Sequence, residues 1–237
     1  MQPTQRLART AGLYYLVVAV LGAFAHIVRG QVYVPGDAVT TAAGVLENAD
    51  LVRYSLVADL VQATFLVFVV LTLHRLLQHV GIQVARAMVL FVVIAVAITT
   101  LNLVNQLGAL LVATDPSYAA AFGVDGAEAL VMLLLDLQHH GYLIAQIFFG
   151  LWLFPLGLLA WRSGMFPRVI AALLVAASTS YLVDVLLQFL APAAADAVNP
   201  ALVTLFIVAE VSLLVFLLAS ATYYGTQFYR ERKAKRN

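Results

Sequence analysis

Asp59, Asp136, Asp184 and Glu210 stand inside long apolar runs, where a carboxylate has no water to solvate it and must find a cavity, a partner or a cation. Acids in that position can exchange protons with a neighbouring imidazole or hold a small polar ligand. Joined by a histidine, they can also ligate a divalent metal such as Zn²⁺, which would activate water for hydrolysis. The candidate metal set is Asp136, His140, Asp184 and Glu210, the aspartate and histidine being close enough in sequence to share a helix. Arg29 and Arg53 are the cations nearest the acids, and serve either as anion-recognising groups or as ion pairs that fix a loop.

Helical spacing decides which groups can act together, since residues three or four apart share a face. Asp59 pairs with Gln62 in this sense, Asn102 with Asn105 and Gln106, Asp136 with His139 and His140, and Asp184 with Gln188. Adjacent histidines point about 100° apart, so one of His139 and His140 is expected to face inward. Amides such as Asn102, Asn105, Gln62 and Gln188 can simply bond across helices and hold them together. Four acids are a costlier way to do that than amides.

The elements that carry these residues follow from composition. With 63% apolar and 11% charged residues, the chain has too little polar surface for a water-soluble exterior. Six runs, near residues 11–28, 52–74, 87–112, 129–161, 168–190 and 200–228, are long enough to cross a hydrocarbon core of about 30 Å. The expected fold is all-α: a single-domain polytopic membrane protein over residues 1–237, a six-helix transmembrane bundle. Pro155 is expected to kink the fourth helix. Arg6 and Arg9 ahead of a run ending in Ala23-Phe24-Ala25 resemble a signal peptide, but the segment is read as a retained first helix. Cysteine is absent, which excludes disulfides, thiolate metal sites and cysteine nucleophiles.

Charge sets the expected orientation. Arg6, Arg9, Arg75, Arg86, Arg162, Arg168, Arg230, Arg232, Lys233, Lys235 and Arg236 fall on one side of the spans, against Arg29 and Arg53 on the other. That asymmetry predicts cytoplasmic termini in an inner membrane, with a basic tail over residues 229–237 beside anionic headgroups. Trp161, Tyr223, Tyr224, Phe228 and Tyr229 mark the same edge. Asp59 lies 16 residues before Arg75, while Asn102 and Asp184 lie 16 after Arg86 and Arg168. At about 1.5 Å per residue all three sit roughly 24 Å from that edge. His26, His140 and Glu210 fall at similar or shallower depth from the outside, so one polar layer in the outer leaflet is expected.

In the first outer connection, Pro35-Gly36 signals a turn and Asp37 can cap a short amphipathic helix through Ala38, Val39, Ala42, Val45 and Leu46. Three stretches carry a resemblance: Ala11-Gly12-Leu13-Tyr14-Tyr15-Leu16; Val34-Pro35-Gly36-Asp37-Ala38 with Asn48 to Arg53; and Ile147 to Leu151 through Trp161-Arg162-Ser163-Gly164-Met165-Phe166-Pro167-Arg168. They resemble the prokaryotic membrane family called domain of unknown function 4386, over nearly the whole chain. The resemblance implies a six-helix bacterial membrane protein with no established activity. The doubled histidine at 139 and 140 departs from the single one it implies.

Phosphate-binding glycine loops, kinase signatures, nucleophile elbows and nucleic-acid motifs are absent, so the sequence points to neither a nucleotide-driven nor a nucleic-acid function. Two halves of opposite topology place Asp59 and Asp184 in corresponding positions, yet the sequences around them are too dissimilar to read as a repeat. The expected partners are the lipid bilayer and a small polar ligand, proton or ion. The expected site is a cavity lined by Asp59, Asn102, Asn105, Asp136, His139 or His140, Asp184 and Glu210. A sensor or transporter suits it, a metal-dependent intramembrane hydrolase is the alternative, and a purely structural polar core is the third reading.

Overall fold

The computed structural model describes the backbone of residues 3–234 and the side chains of residues 5–219. The described residues form eight helices: α1 (Pro3–Val32), α2 (Ala38–Glu47), α3 (Ala49–Leu77), α4 (Ile82–Thr114), α5 (Pro116–Phe122), α6 (Val124–Ser163), α7 (Arg168–Leu190) and α8 (Pro192–Ala234). Six of them, all but α2 and α5, are long and apolar enough to cross a membrane. The protein is therefore an all-helical, multi-pass membrane protein, as its composition requires. Side chains of the basic tail at 229–237 and of its aromatic neighbours Tyr223 to Tyr229 lie outside the described residues.

Helices overrun the apolar runs because hydropathy marks only the lipid-crossing part, whereas backbone hydrogen bonding continues into the polar headgroup zone. Thus α1 begins at Pro3 rather than near residue 11. The last helix begins at Pro192, not at residue 200. A proline is tolerated at the first helical position because the N–H it lacks would have no acceptor within the helix. Pro200 and Pro155 both lie within unbroken helices.

The two short helices are built from their caps. Asp37 accepts from the backbone N–H of Thr40 at 2.9 Å and from its hydroxyl at 2.7 Å, starting α2 directly after the positive-φ Gly36. Asp115 accepts from Ser117 N–H at 2.9 Å and is followed by Pro116 at the first position of α5. That second helix was not anticipated, although Asp-Pro-Ser is a legible start signal.

Two compact units are present. The loop unit comprises Val17–Thr64 and Ala95–Ala145 and so contains α2, α5 and segments of α1, α3, α4 and α6. Its core gathers Val28, Val32, Val45, Val52, Leu110, Val131 and Leu135. The hairpin unit comprises Met1–Leu16, Phe65–Ile94 and Gln146–Asn237, and contains the α7–α8 hairpin.

Lipid is as apolar as leucine, so helices in a membrane associate through close packing rather than water exclusion. The hairpin unit meets that demand with glycine. A Cβ at Gly150 would lie 2.8 Å from the Tyr181 Cβ, and one at Gly157 would lie 3.0 Å from the Ala171 carbonyl oxygen. Both positions let α6 and α7 approach closely. Outward-facing residues are apolar: Leu101 is 72% exposed while its neighbour Asn102 is 8% exposed. A helix that hides an amide and presents leucine is oriented for hydrocarbon surroundings.

Candidate functional site

In the loop unit, α1 carries His26, Arg29 and Tyr33 on one stripe, three and four residues apart. Arg29 Nη1 donates to Asp59 Oδ2 on α3, and the aspartate is 3% exposed. Gln62 Nε2, one turn further along α3, donates to the other carboxylate oxygen at 2.9 Å. Gly22 makes this arrangement possible, because a side chain there would collide with the Gln62 amide. The Arg29 guanidinium thus compensates a charge that would otherwise stand bare in the span.

One turn beyond Arg29, the Tyr33 hydroxyl donates to Asp136 Oδ1 on α6 at 2.6 Å. The Tyr33 ring stacks on His139, with centroids 5.9 Å apart and planes 29° from parallel. His140 turns back on its own helix, its Nδ1 lying 2.8 Å from the Asp136 carbonyl oxygen. Both histidines are exposed, so neither is enclosed as spacing suggested. His139 meets α1 through Tyr33.

Amides complete the loop unit. Asn102 Nδ2 donates to the Gln138 carbonyl at 2.6 Å and Asn105 Nδ2 donates to Asn102 Oδ1 at 3.0 Å, in space that a side chain at Gly141 would fill. Gln106 Nε2 donates to Ser55 Oγ at 2.9 Å, and its buried Oε1 has no partner among the described residues. Arg53, expected near the acids, instead pairs with Asp50 at 2.6 Å within the first turn of α3, both side chains largely exposed. It belongs to an open hollow of about 260 Å³ with Glu47 and Asn48, which contains none of the intramembrane acids.

The hairpin unit holds the other two acids. Glu210 on α8, partly buried, accepts from the Tyr15 hydroxyl of α1 at 3.0 Å and from the Tyr181 hydroxyl of α7 at 2.8 Å. Tyr181 also stacks on Phe206 at 4.0 Å. Asp184, 2% exposed, accepts from Asn199 of α8 at 2.8 Å. Among the described residues neither acid has a cation within ion-pair distance.

The acids expected in one layer therefore divide between the units, and each is engaged by donors of its own. Among the described residues no three histidine, aspartate or glutamate side chains are gathered to hold a metal ion. Of the expected set, Asp136 and His140 belong to the loop unit and Asp184 and Glu210 to the hairpin unit, and Tyr33, Asn199, Tyr15 and Tyr181 donate to the carboxylates. Spacing missed the tyrosines and Asn199 because their partners are remote in sequence. A usable signal was present for Tyr33, which lies one turn beyond Arg29.

Helices of spanning length with ionisable side chains inside them define the class: a multi-pass helical membrane protein with a polar interior. More particularly, the chain belongs to the family described as Domain of unknown function (DUF4386), whose model matches residues 10–221. It is also 48% identical over 46 residues to an uncharacterized protein of Archaeoglobus fulgidus, a match covering 19% of this chain and 28% of that protein. The chain thus spans under a third of the length of that relative. No solved structure matches it.

Proposed function

We propose that the loop unit binds a small polar ligand or an exchanging proton, and that the protein works as a sensor or transporter in a bacterial inner membrane with both termini cytoplasmic. The orientation rests on the eleven-to-two division of Lys and Arg between the two sides of the spans. One observation carries the binding reading. A single stripe of α1 engages two carboxylates on two other helices, through Arg29 to Asp59 and through Tyr33 to Asp136, with His139 stacked beside the second. A guanidinium has five N–H donors, and Arg29 directs one of them to Asp59 while remaining partly accessible. An anionic or carbonyl-bearing ligand can be met by the remaining donors, and a proton by the Asp136–His139 pair.

A structural role is the second reading, favoured by the fact that both Asp59 oxygens already accept a hydrogen bond. The two readings separate in a thermal-shift panel on nanodisc-reconstituted protein, using phosphate, small carboxylates, amino acids and ammonium at neutral and mildly acidic pH. Binding predicts that a panel member raises the melting temperature of the wild type and fails to do so in the Arg29→Gln/Asp59→Asn double variant. A shift of equal size in both proteins, or none with any member, favours the structural role.

A further inference from the structure

We propose that Glu210, with Tyr15 and Tyr181, forms a monovalent-cation site in the hairpin unit, taking a proton or a single alkali ion and independent of the loop-unit site. The geometry begins with the seam between α7 and α8. Asn199, Phe206, Glu210, Leu213 and Leu217 fall on one face of α8 at spacings of seven, four, three and four residues. Tyr181 and Asp184 occupy one face of α7, and the two helices pack against each other. The Tyr181–Phe206 stack lies along this seam with Glu210 one turn from Phe206. The third wall comes from α1: Gly12, where a Cβ would stand 2.9 Å from the Leu218 nitrogen, brings α1 against α8, and Tyr15 follows three residues later.

Among the described residues, the donors that reach the Glu210 carboxylate are two neutral hydroxyls. The other carboxyl group described on the seam is Asp184, and its donor from α8 is the neutral Asn199. Removing an ionised carboxylate from water without a compensating cation costs far more than neutral hydrogen bonds restore. Asp59 meets this requirement with Arg29, whereas Glu210 has no such residue among those described. A small cation supplied from outside the chain completes the site. The Tyr15 phenolic oxygen beside the carboxylate adds an oxygen ligand for an alkali ion, and a proton needs the carboxylate alone.

Full-length protein in lipid nanodiscs provides the test, with melting temperature followed against pH in choline buffer and against Na⁺ at fixed pH. A Na⁺-dependent rise in the wild type that Glu210→Gln abolishes identifies the alkali ion. A carboxylic C=O infrared band present in the wild type, titrating with pH and missing from Glu210→Gln, identifies the proton. Tyr181→Phe and Tyr15→Phe keep the proposal testable if the glutamine variant fails to fold. Each removes a donor that competes for the carboxylate lone pairs, so each tightens proton binding about tenfold, a change that a merely structural tyrosine does not produce. Asp184→Asn is the control for the other acid on the seam and leaves the Glu210 signal in place. Identical responses of the wild type and Glu210→Gln to both cations, or tyrosine variants that lose stability without moving the titration, overturn the proposal. Either result leaves the Arg29-dependent binding reading untouched.

Discussion

Asp59 in the loop unit and Glu210 in the hairpin unit solve the same problem, a carboxylate inside a span, in opposite ways. In the loop unit Asp59 is matched by Arg29, and glycines at 22 and 141 clear room for the polar side chains of Gln62 and Asn102. In the hairpin unit Glu210 and Asp184 receive neutral donors, and glycines at 150 and 157 let helix meet helix. The difference teaches that a buried acid in a membrane protein is interpretable only with its partner. An acid paired to arginine is internally balanced, so ligand chemistry there works through the spare donors of the arginine. An acid held by hydroxyls is unbalanced, so its chemistry is that of the missing cation.

The contrast can be broken most directly at Arg29. Arg29→Leu strands the Asp59 charge and is expected to cost about 3–5 kcal/mol, whereas the Arg29→Leu/Asp59→Leu double variant recovers most of the loss. Glu210→Gln, which keeps an oxygen acceptor for one tyrosine and sets an amide NH₂ against the other, should cost only about one interhelical hydrogen bond, about 0.6 kcal/mol. Unfolding in mixed micelles measures both, and equal losses at the two sites would erase the distinction between balanced and unbalanced acids.

Glycine substitutions sharpen the comparison at an intermediate scale. Gly150→Ala sets a methyl against the Tyr181 Cβ and is expected to cost about 1–3 kcal/mol, since neither helix can yield locally. Gly22→Ala meets the far end of a flexible glutamine, which can swing aside, so the cost falls to that of the lost Gln62 bond, about 0.6 kcal/mol. The same unfolding assay decides, and a larger loss at Gly22 than at Gly150 reverses the assigned roles.

Tyr33→Phe removes one interhelical hydrogen bond and should cost between about 0.6 and 1.7 kcal/mol. If Tyr33 also holds His139, the imidazole resonances of His139 shift in the variant while those of His26 stay put. Unchanged His139 signals would separate the stacking from the Asp136 contact.

The smallest effect lies outside the spans. The backbone N–H and hydroxyl of Thr40 hold the Asp37 carboxyl below its ordinary value by bonding its ionised form. The cap on α2 is therefore complete above the ordinary carboxylate range and is lost as pH falls through the lowered Asp37 value. Protection factors of the α2 amides, taken relative to intrinsic exchange at each pH, should fall over that acidic window in the wild type and stay level in Asp37→Ala. Parallel pH responses in the two proteins would remove Asp37 from its capping role.

Much of the architecture was legible from sequence. Six spans follow from runs of apolar residues, the α2 start from Pro35, Gly36 and Asp37, and the pairing of Asp59 with Gln62 or Asn102 with Asn105 from spacing along a single helix. The donor that meets each acid was not legible. Depth along a helix is one coordinate and says nothing of how that helix is turned or which neighbour it meets.

Hydropathy, capping and i,i+3 pairing are properties of adjacent residues, so the chain determined its helices and their polar faces by itself. Partner choice is different, because Arg29 and Asp59 stand 30 residues apart, Tyr33 and Asp136 103, and Tyr15 and Glu210 195. Those bonds form only where small residues set the distance and rotation between helices. The tertiary structure therefore decided which acid meets an arginine and which meet neutral donors.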